Sequence, residues 1–372
     1  MNMINIVLYG INLLSIKILN LIDRNKCNII AIATNSQKNI GKKIDNISIV
    51  GLEDINNLSY ELMITTIYNK VFDNNIYTIN FKEYLTNYYD FEISSFLYKL
   101  SNNNENIDGF ITGLSYVDVG IDVSRIDGNV INAAISSQDI FYDYEMAKYI
   151  LSDKTYSKNI KFALIGLTYY SFEFDLSKCS VKDRVYFYYP FIKNIHNKND
   201  FSEKKCERFD QLDEILKRIF IKDYKNEIYK DIENKYEKGW QEYISGHLTN
   251  EKIIMGRKDV EKDSLKNYPE TVKENITVLN NYITFLKNNN IKPYIVVAPV
   301  SKYYYLNLSE RIKNEFKSIM IEISNKNSVK IYDYFNSSLF NDEDFYDIAH
   351  LNRKGAIKFT ELINSDILSQ LK

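Results

Sequence analysis

Cysteine is scarce in this chain of 372 residues: Cys27, Cys179 and Cys206 are odd in number, and none belongs to a C-x-x-C pair. That excludes a disulfide framework and a thiolate zinc site, and it fits free thiols in a reducing compartment. Histidine is as thin, with 3 residues, and there is no H-E-x-x-H, EF-hand loop or Cys/His cluster. No metal is therefore expected. An excess of either charge is missing too: 47 Lys and Arg face 49 Asp and Glu, a formal net charge of -2. A nucleic-acid partner is excluded on that ground, because phosphate neutralisation needs a basic surplus. The G-x-x-x-x-G-K-[ST] loop is absent, which removes P-loop nucleotide chemistry. Residues Ile4 to Ile22 are apolar but lack a basic leader region and a small-residue cleavage site, and Gly10-Ile11-Asn12 breaks the run. They read as a strand and a helix rather than a signal peptide, so no membrane insertion and a cytoplasmic location are expected.

What remains is the composition of a soluble globular protein, 45% hydrophobic and 26% charged. Its length suits two domains better than one core. The 31 Tyr and 20 Phe, beside abundant Asn, Ile and Lys, read as the bias of an AT-rich genome rather than a binding requirement.

Buried-type runs alternate with helical patterns from the start. Ile4 to Tyr9 is followed by a glycine turn and by helical spacing through Leu13, Leu14, Ile18, Leu21 and Ile22; Ile29 to Ala33 and Leu62 to Ile67 are further runs. Alternation of this kind implies a parallel sheet, so residues 1–100 are expected to form a small Rossmann-like α/β domain. Its phosphate loop keeps only Gly10, since Asn12 and Ser15 stand at the later glycine positions of G-x-G-x-x-G. No cofactor is expected there, and a structural or docking role is. The polar stretch 101–106 reads as a linker.

Beyond it the alternation restarts. Strands are expected at Asp108 to Thr112, Asn129 to Ile135, Ile160 to Gly166, Lys292 to Ala298 and Ser328 to Tyr334, with a helix from Pro269 to Asn289. Strand-like runs vanish across about 178–267, where Gln211 to Tyr243 reads as helical and rich in Lys and Glu. This is a helical insertion, with a solvated charged face as its plainest meaning and a lid as the second. His196 and His247 fall within it and read as surface residues.

Chemistry concentrates where expected strands end. Ser115 follows the apolar strand and Gly113, at a turn that would expose a hydroxyl beside helix amides. Near the C-terminus, Asp347 precedes His350 by three residues, a spacing that lets a carboxylate hold one imidazole nitrogen while the other faces a nucleophile. Asp344 is a nearby alternative acid, six residues from the histidine. Carboxyl ends of parallel strands form the ligand crevice of such sheets, so these groups can converge.

With Gly113-Leu114-Ser115, Val130 to Ser137, Gly166 to Tyr169 and Asp347 to His350 in order, residues 108–372 resemble the SGNH (GDSL-type) hydrolase superfamily, which includes lipases, carbohydrate esterases and some O-acyltransferases. The resemblance implies a three-layer flavodoxin-like α/β domain with a parallel sheet and Ser115, His350 and Asp347 as a catalytic triad. It also implies oxyanion donors near Ser137, where a glycine is usual, and at Thr168 or Tyr169, where an Asn is usual. Leu114 replaces the Asp of the name-giving motif. The activity implied is that of a serine esterase or O-acyltransferase on a small acyl ester, an acylated sugar or surface-glycan precursor. A binding or assembly protein that kept the fold is the alternative.

Overall fold

The computed structural model describes residues 3–67, 78–103 and 106–371, so Asn104 and Glu105 of the expected linker lie outside the described residues. The chain divides into two compact units, Met1–Asp90 with Asp200–Asp231, and Phe91–Asn199 with Ile232–Lys372.

The first unit is built on strands β1 (Ile4–Tyr9), β2 (Cys27–Thr34), β3 (Lys43–Ile44), β4 (Ile47–Gly51), β5 (Leu62–Thr65) and β6 (Thr78–Asn80). They lie in the order β3-β4-β2-β1-β5-β6, and only the β3–β4 pair is antiparallel. The parallel strands thus read 3-2-1-4-5, with the reversal between β1 and β5 where doubly wound sheets open a crevice. At this reversal the described residues hydrogen-bond to one another. The helix Leu13–Leu21 is capped by Asn12, whose side chain accepts the Ser15 amide. Asn12 Nδ2 donates to Thr66 Oγ1 at 3.1 Å, and Ser15 Oγ donates to the Gly10 carbonyl at 2.8 Å. A Cβ on Gly10, at φ +114°, would sit 2.3 Å from Thr66 Oγ1. The Ser15 amide therefore serves the helix's own cap.

The second unit holds β7 (Gly109–Gly113), β8 (Val130–Asn132), β9 (Phe162–Leu167), β10 (Lys292–Val297) and β11 (Lys330–Asp333). Every pairing is parallel, in the order β11-β10-β9-β7-β8, which is the 2-1-3-4-5 winding of flavodoxin-like sheets. Every residue of β7 and β9 is buried, as strands covered on both faces must be. Helices such as Ile140–Ser152, Pro269–Asn288 and Arg353–Asp366 follow or precede the strands and supply those layers. The chain is an α/β protein with a three-layer parallel-sheet architecture.

The units divide the sequence differently from the expected domain limits. The helix Phe91–Asn102 runs through the first two residues of the expected linker and belongs to the second unit. Residues 200–231 of the expected insertion belong to the first unit. There the helix Glu203–Ile219 brings Phe209 to 4.7 Å from the Tyr88 ring and is followed by Phe220, 5.7 Å from Phe81. The Asp23 amide donates to the Ile219 carbonyl at 2.9 Å. The single helical stretch expected at Gln211 to Tyr243 is two helices, the second Tyr224–Ile244, parted at Phe220.

Candidate active site

Two glycines shape the turn that presents Ser115. Gly113 ends β7 at φ +143°, and a Cβ there would lie 2.6 Å from the Gly166 carbonyl oxygen. Gly166, opposite it on β9, would meet Val117 Cγ2 at 2.3 Å. Only bare backbone lets β7, β9 and the helix Ser115–Gly120 approach this closely. Ser115 is the first residue of that helix.

The Ser115 Oγ lies 2.8 Å from His350 Nε2. On the far side of the ring, Nδ1 is 3.0 Å from both oxygens of Asp347. Asp347 Oδ1 also accepts the amides of Ala349 and His350 at 2.8 Å each, which fixes the carboxylate plane. Burial pushes the Asp347 carboxyl up, but the charge of His350, its hydrogen bond and the two amides outweigh it and hold the group below the usual carboxylate range. Tyr116 covers the imidazole with ring centroids 5.1 Å apart. The structure thus brings Ser115, His350 and Asp347 into one hydrogen-bonded line. Asp344 is elsewhere: it is fully buried, accepts the Asn341 amide and pairs with Lys358 at 3.0 Å.

The expected oxyanion residues fare unequally. Ser137 takes φ +60°, the left-handed conformation that a glycine adopts freely. Among the described residues its amide finds no acceptor, and the same holds for the Ser115 amide at the helix start. The Ser115 amide stands at the helix N-terminus, where the sequence places amides beside its hydroxyl. The Thr168 amide donates to Ser171 Oγ at 2.8 Å, while its own hydroxyl is buried without a partner. Tyr169 is committed away from the site. Its ring is stacked 4.0 Å from Phe335 and 4.5 Å from Phe316, and its hydroxyl donates to Asp333 at 2.9 Å. An aromatic ring after a strand packs where its faces find partners, and here those lie on the β10–β11 side.

A cavity of about 380 Å³ is lined in part by Asp118 and Val119 of the helix Ser115–Gly120. Asp118, one turn along the helix from Ser115, and Arg353, three residues past His350, both border it, as do Glu92, Lys99, Tyr236 and Trp240. The Tyr236 and Trp240 rings stack at 5.6 Å and 17°. Burial, reinforced by the charge of Glu92, pushes the Asp118 carboxyl well above the usual carboxylate range against the pull of Lys99. The Tyr236 hydroxyl donates to Asp118 Oδ2 at 3.5 Å.

His196 corrects its expected surface placement, being only 2% exposed. Its Nδ1 meets Asp139 Oδ2 at 2.8 Å, with Asp175 at 3.6 Å and Glu274 at 3.5 Å from its two nitrogens. Burial disfavours the charged ring, but these carboxylates prevail and raise its pKa to about 8. Asp139, Asp175 and His196 lie close enough to hold a cation. Their oxygens are already engaged: Asp139 accepts the Tyr142 and Leu176 amides, and Asp175 accepts Ser177, Asn197 and the Lys178 ammonium. The imidazole, its pKa raised, and the Lys178 ammonium lie among these carboxylates. His247 is exposed, as expected.

No family model matches the chain, and no curated protein matches it. Among solved structures it is similar to a protein from Streptococcus pneumonia provisionally titled a platelet activating factor, at 9% identity over 77% of this chain and 95% of that one, with a TM-score of 0.39. It is also similar to a provisionally titled acylhydrolase from Bacteroides fragilis, at 9% identity over 73% and 93%, with a TM-score of 0.34. A third is the psychrotrophic esterase EstA from Pseudoalteromonas sp., at 12% identity over 71% and 99%, with a TM-score of 0.31. Likenesses this distant carry no weight for mechanism, which rests on the geometry above. Among the described residues no helix is long and apolar enough to cross a membrane.

Proposed function

We propose that the second unit is an SGNH-type serine esterase or O-acyltransferase acting on a small polar acyl ester, with an acylated sugar or surface-glycan precursor as the substrate class. One observation carries this reading: the unbroken line from Ser115 Oγ through His350 to Asp347 at hydrogen-bond distances. In it His350 Nε2 takes the hydroxyl proton as Ser115 Oγ attacks the ester carbonyl, while Asp347 holds Nδ1–H and stabilises the imidazolium. The amides of Ser115 and Ser137, with the Thr168 hydroxyl, are the donors for the oxyanion, and one such donor is worth about 3 kcal/mol in the transition state. The imidazolium then protonates the leaving alcohol. Water or a sugar hydroxyl, deprotonated by the same nitrogen, attacks the acyl-enzyme and frees Ser115.

The cavity beside the helix Ser115–Gly120 is the place for the polar part of the substrate. A stacked Tyr236–Trp240 pair offers an apolar face, and Asp118 borders the same cavity. The Trp240→Ala variant is expected to raise KM about tenfold with kcat little changed, as loss of uniform binding does. The alternative, a binding protein in glycan assembly that has lost turnover, draws on one observation: the Tyr169 hydroxyl is occupied by Asp333. An acyl-ester screen with wild type and Ser115→Ala separates the two, because only the catalytic reading predicts hydrolysis or transfer that the variant loses.

A further inference from the structure

The loop that carries Asp347 is gripped by a helical segment that the triad itself does not use. Phe345 and Leu351 form an antiparallel bridge at the loop's neck, and the Tyr346 amide donates to the His350 carbonyl at 2.9 Å. Asp347 stands between Tyr346 and Ile348, and both neighbours are held from outside. Lys252, early in the helix Asn250–Ser264, donates to the Tyr346 carbonyl at 3.0 Å. The same ammonium lies 3.3 Å from the centroid of the Tyr346 ring. It also donates at 3.0 Å to the His247 carbonyl, which ties the segment before the helix to the same point.

Two glycines complete the grip. A Cβ on Gly246 would come within 2.6 Å of the Tyr346 ring, and one on Gly256 within 2.5 Å of Ile348 Cγ1. Gly256 lies inside the helix, where glycine costs about 1 kcal/mol relative to alanine. Here the missing methyl is the space that Ile348 occupies. Lys252 forms no ion pair within 4 Å among the described residues; it holds two carbonyls and an aromatic face, and the charge of Asp347 acts on it from farther away. A surface lysine on a solvated helix has no need of that arrangement, whereas a loop that must be held in one pose does.

We propose that Lys252, with the seats at Gly246 and Gly256, clamps the loop so that the Asp347 carboxylate faces His350, which makes Lys252 a positioning residue for the site. Only the kinetic arm of the test rests on the acyl-transfer reading. The protein has 3 histidines, so imidazole resonances in protein labelled with 15N-histidine are few, and His350→Gln assigns the Nδ1 proton held by Asp347. In Lys252→Met, which keeps the stem and loses charge and donors, that proton is expected to move upfield or exchange away, and Lys252→Arg is expected to restore it. Gly256→Ala should also move it, even though the helix gains propensity; this second variant serves if Lys252→Met does not fold. On an ester substrate, Lys252→Met is expected to lower kcat about ten- to a hundredfold with KM unchanged, as misplacement of a reacting group does. A folded Lys252→Met or Gly256→Ala protein with the wild-type Nδ1 resonance overturns the clamp. That result stands whether or not any ester is turned over, while failure of the esterase reading would show in Ser115 labelling instead.

Discussion

At the scale of the residue, Ser137 holds a conformation that its side chain does not favour. With φ at +60° it sits where a left-handed backbone carries a penalty of about 1 kcal/mol or more for a non-glycine residue. Ser137→Gly is accordingly expected to raise stability by about 1 kcal/mol in urea unfolding while leaving the amide in place. A loss of stability would mean that the hydroxyl contributes more than the backbone releases. Ser115, Asp347 and His350 were legible at this scale because their signals are local: a serine after a buried strand and glycine, and an acid three residues before a histidine. Tyr169 was misplaced for the opposite reason. Whether a ring after a strand faces the site or a neighbouring layer depends on partners, Phe316 and Phe335, that lie far along the chain.

At the scale of the element, the buried His196 ties residues near Asn197 to Asp139, which caps the helix Ile140–Ser152, and to Asp175. Its pKa is raised to about 8 from an ordinary 6.5. The stabilisation is therefore complete below about pH 6.5 and is lost as pH rises through about 8. A shift of this size corresponds to roughly 2 kcal/mol. Thermal unfolding is expected to show wild type losing about that much between pH 6 and pH 9, with His196→Gln showing no such loss. Equal pH dependence in both proteins would contradict the assignment. No sequence pattern marks this cluster, because Asp139, Asp175, His196 and Glu274 share no spacing and meet only through the fold. The same distance problem hid residues 200–231. Their polar helical period announces a helix, but not that Phe209 and Phe220 pack against Tyr88 and Phe81 of the first unit.

At the scale of the whole molecule, two parallel sheets of different winding occur in one chain, 3-2-1-4-5 in the first unit and 2-1-3-4-5 in the second. Both were legible as strand–helix alternation, since fully buried strands write themselves as apolar runs such as Ile4 to Tyr9 and Ile160 to Gly166. The strand order was not written there, because order depends on which strands meet. In the first sheet Asn12, Ser15 and Thr66 hydrogen-bond to one another at the strand reversal. The second leaves its strand ends to Ser115, His350 and the neighbouring cavity. The proposed chemistry lies in the second unit, and its central claim is that Ser115 is an activated nucleophile. Fluorophosphonate labelling of wild type and Ser115→Ala, with the modified peptide located by mass spectrometry, tests it most directly. The account predicts a single phosphonyl group on Ser115 that the variant loses; folded wild type that stays unlabelled, or a label that persists in Ser115→Ala, would contradict it.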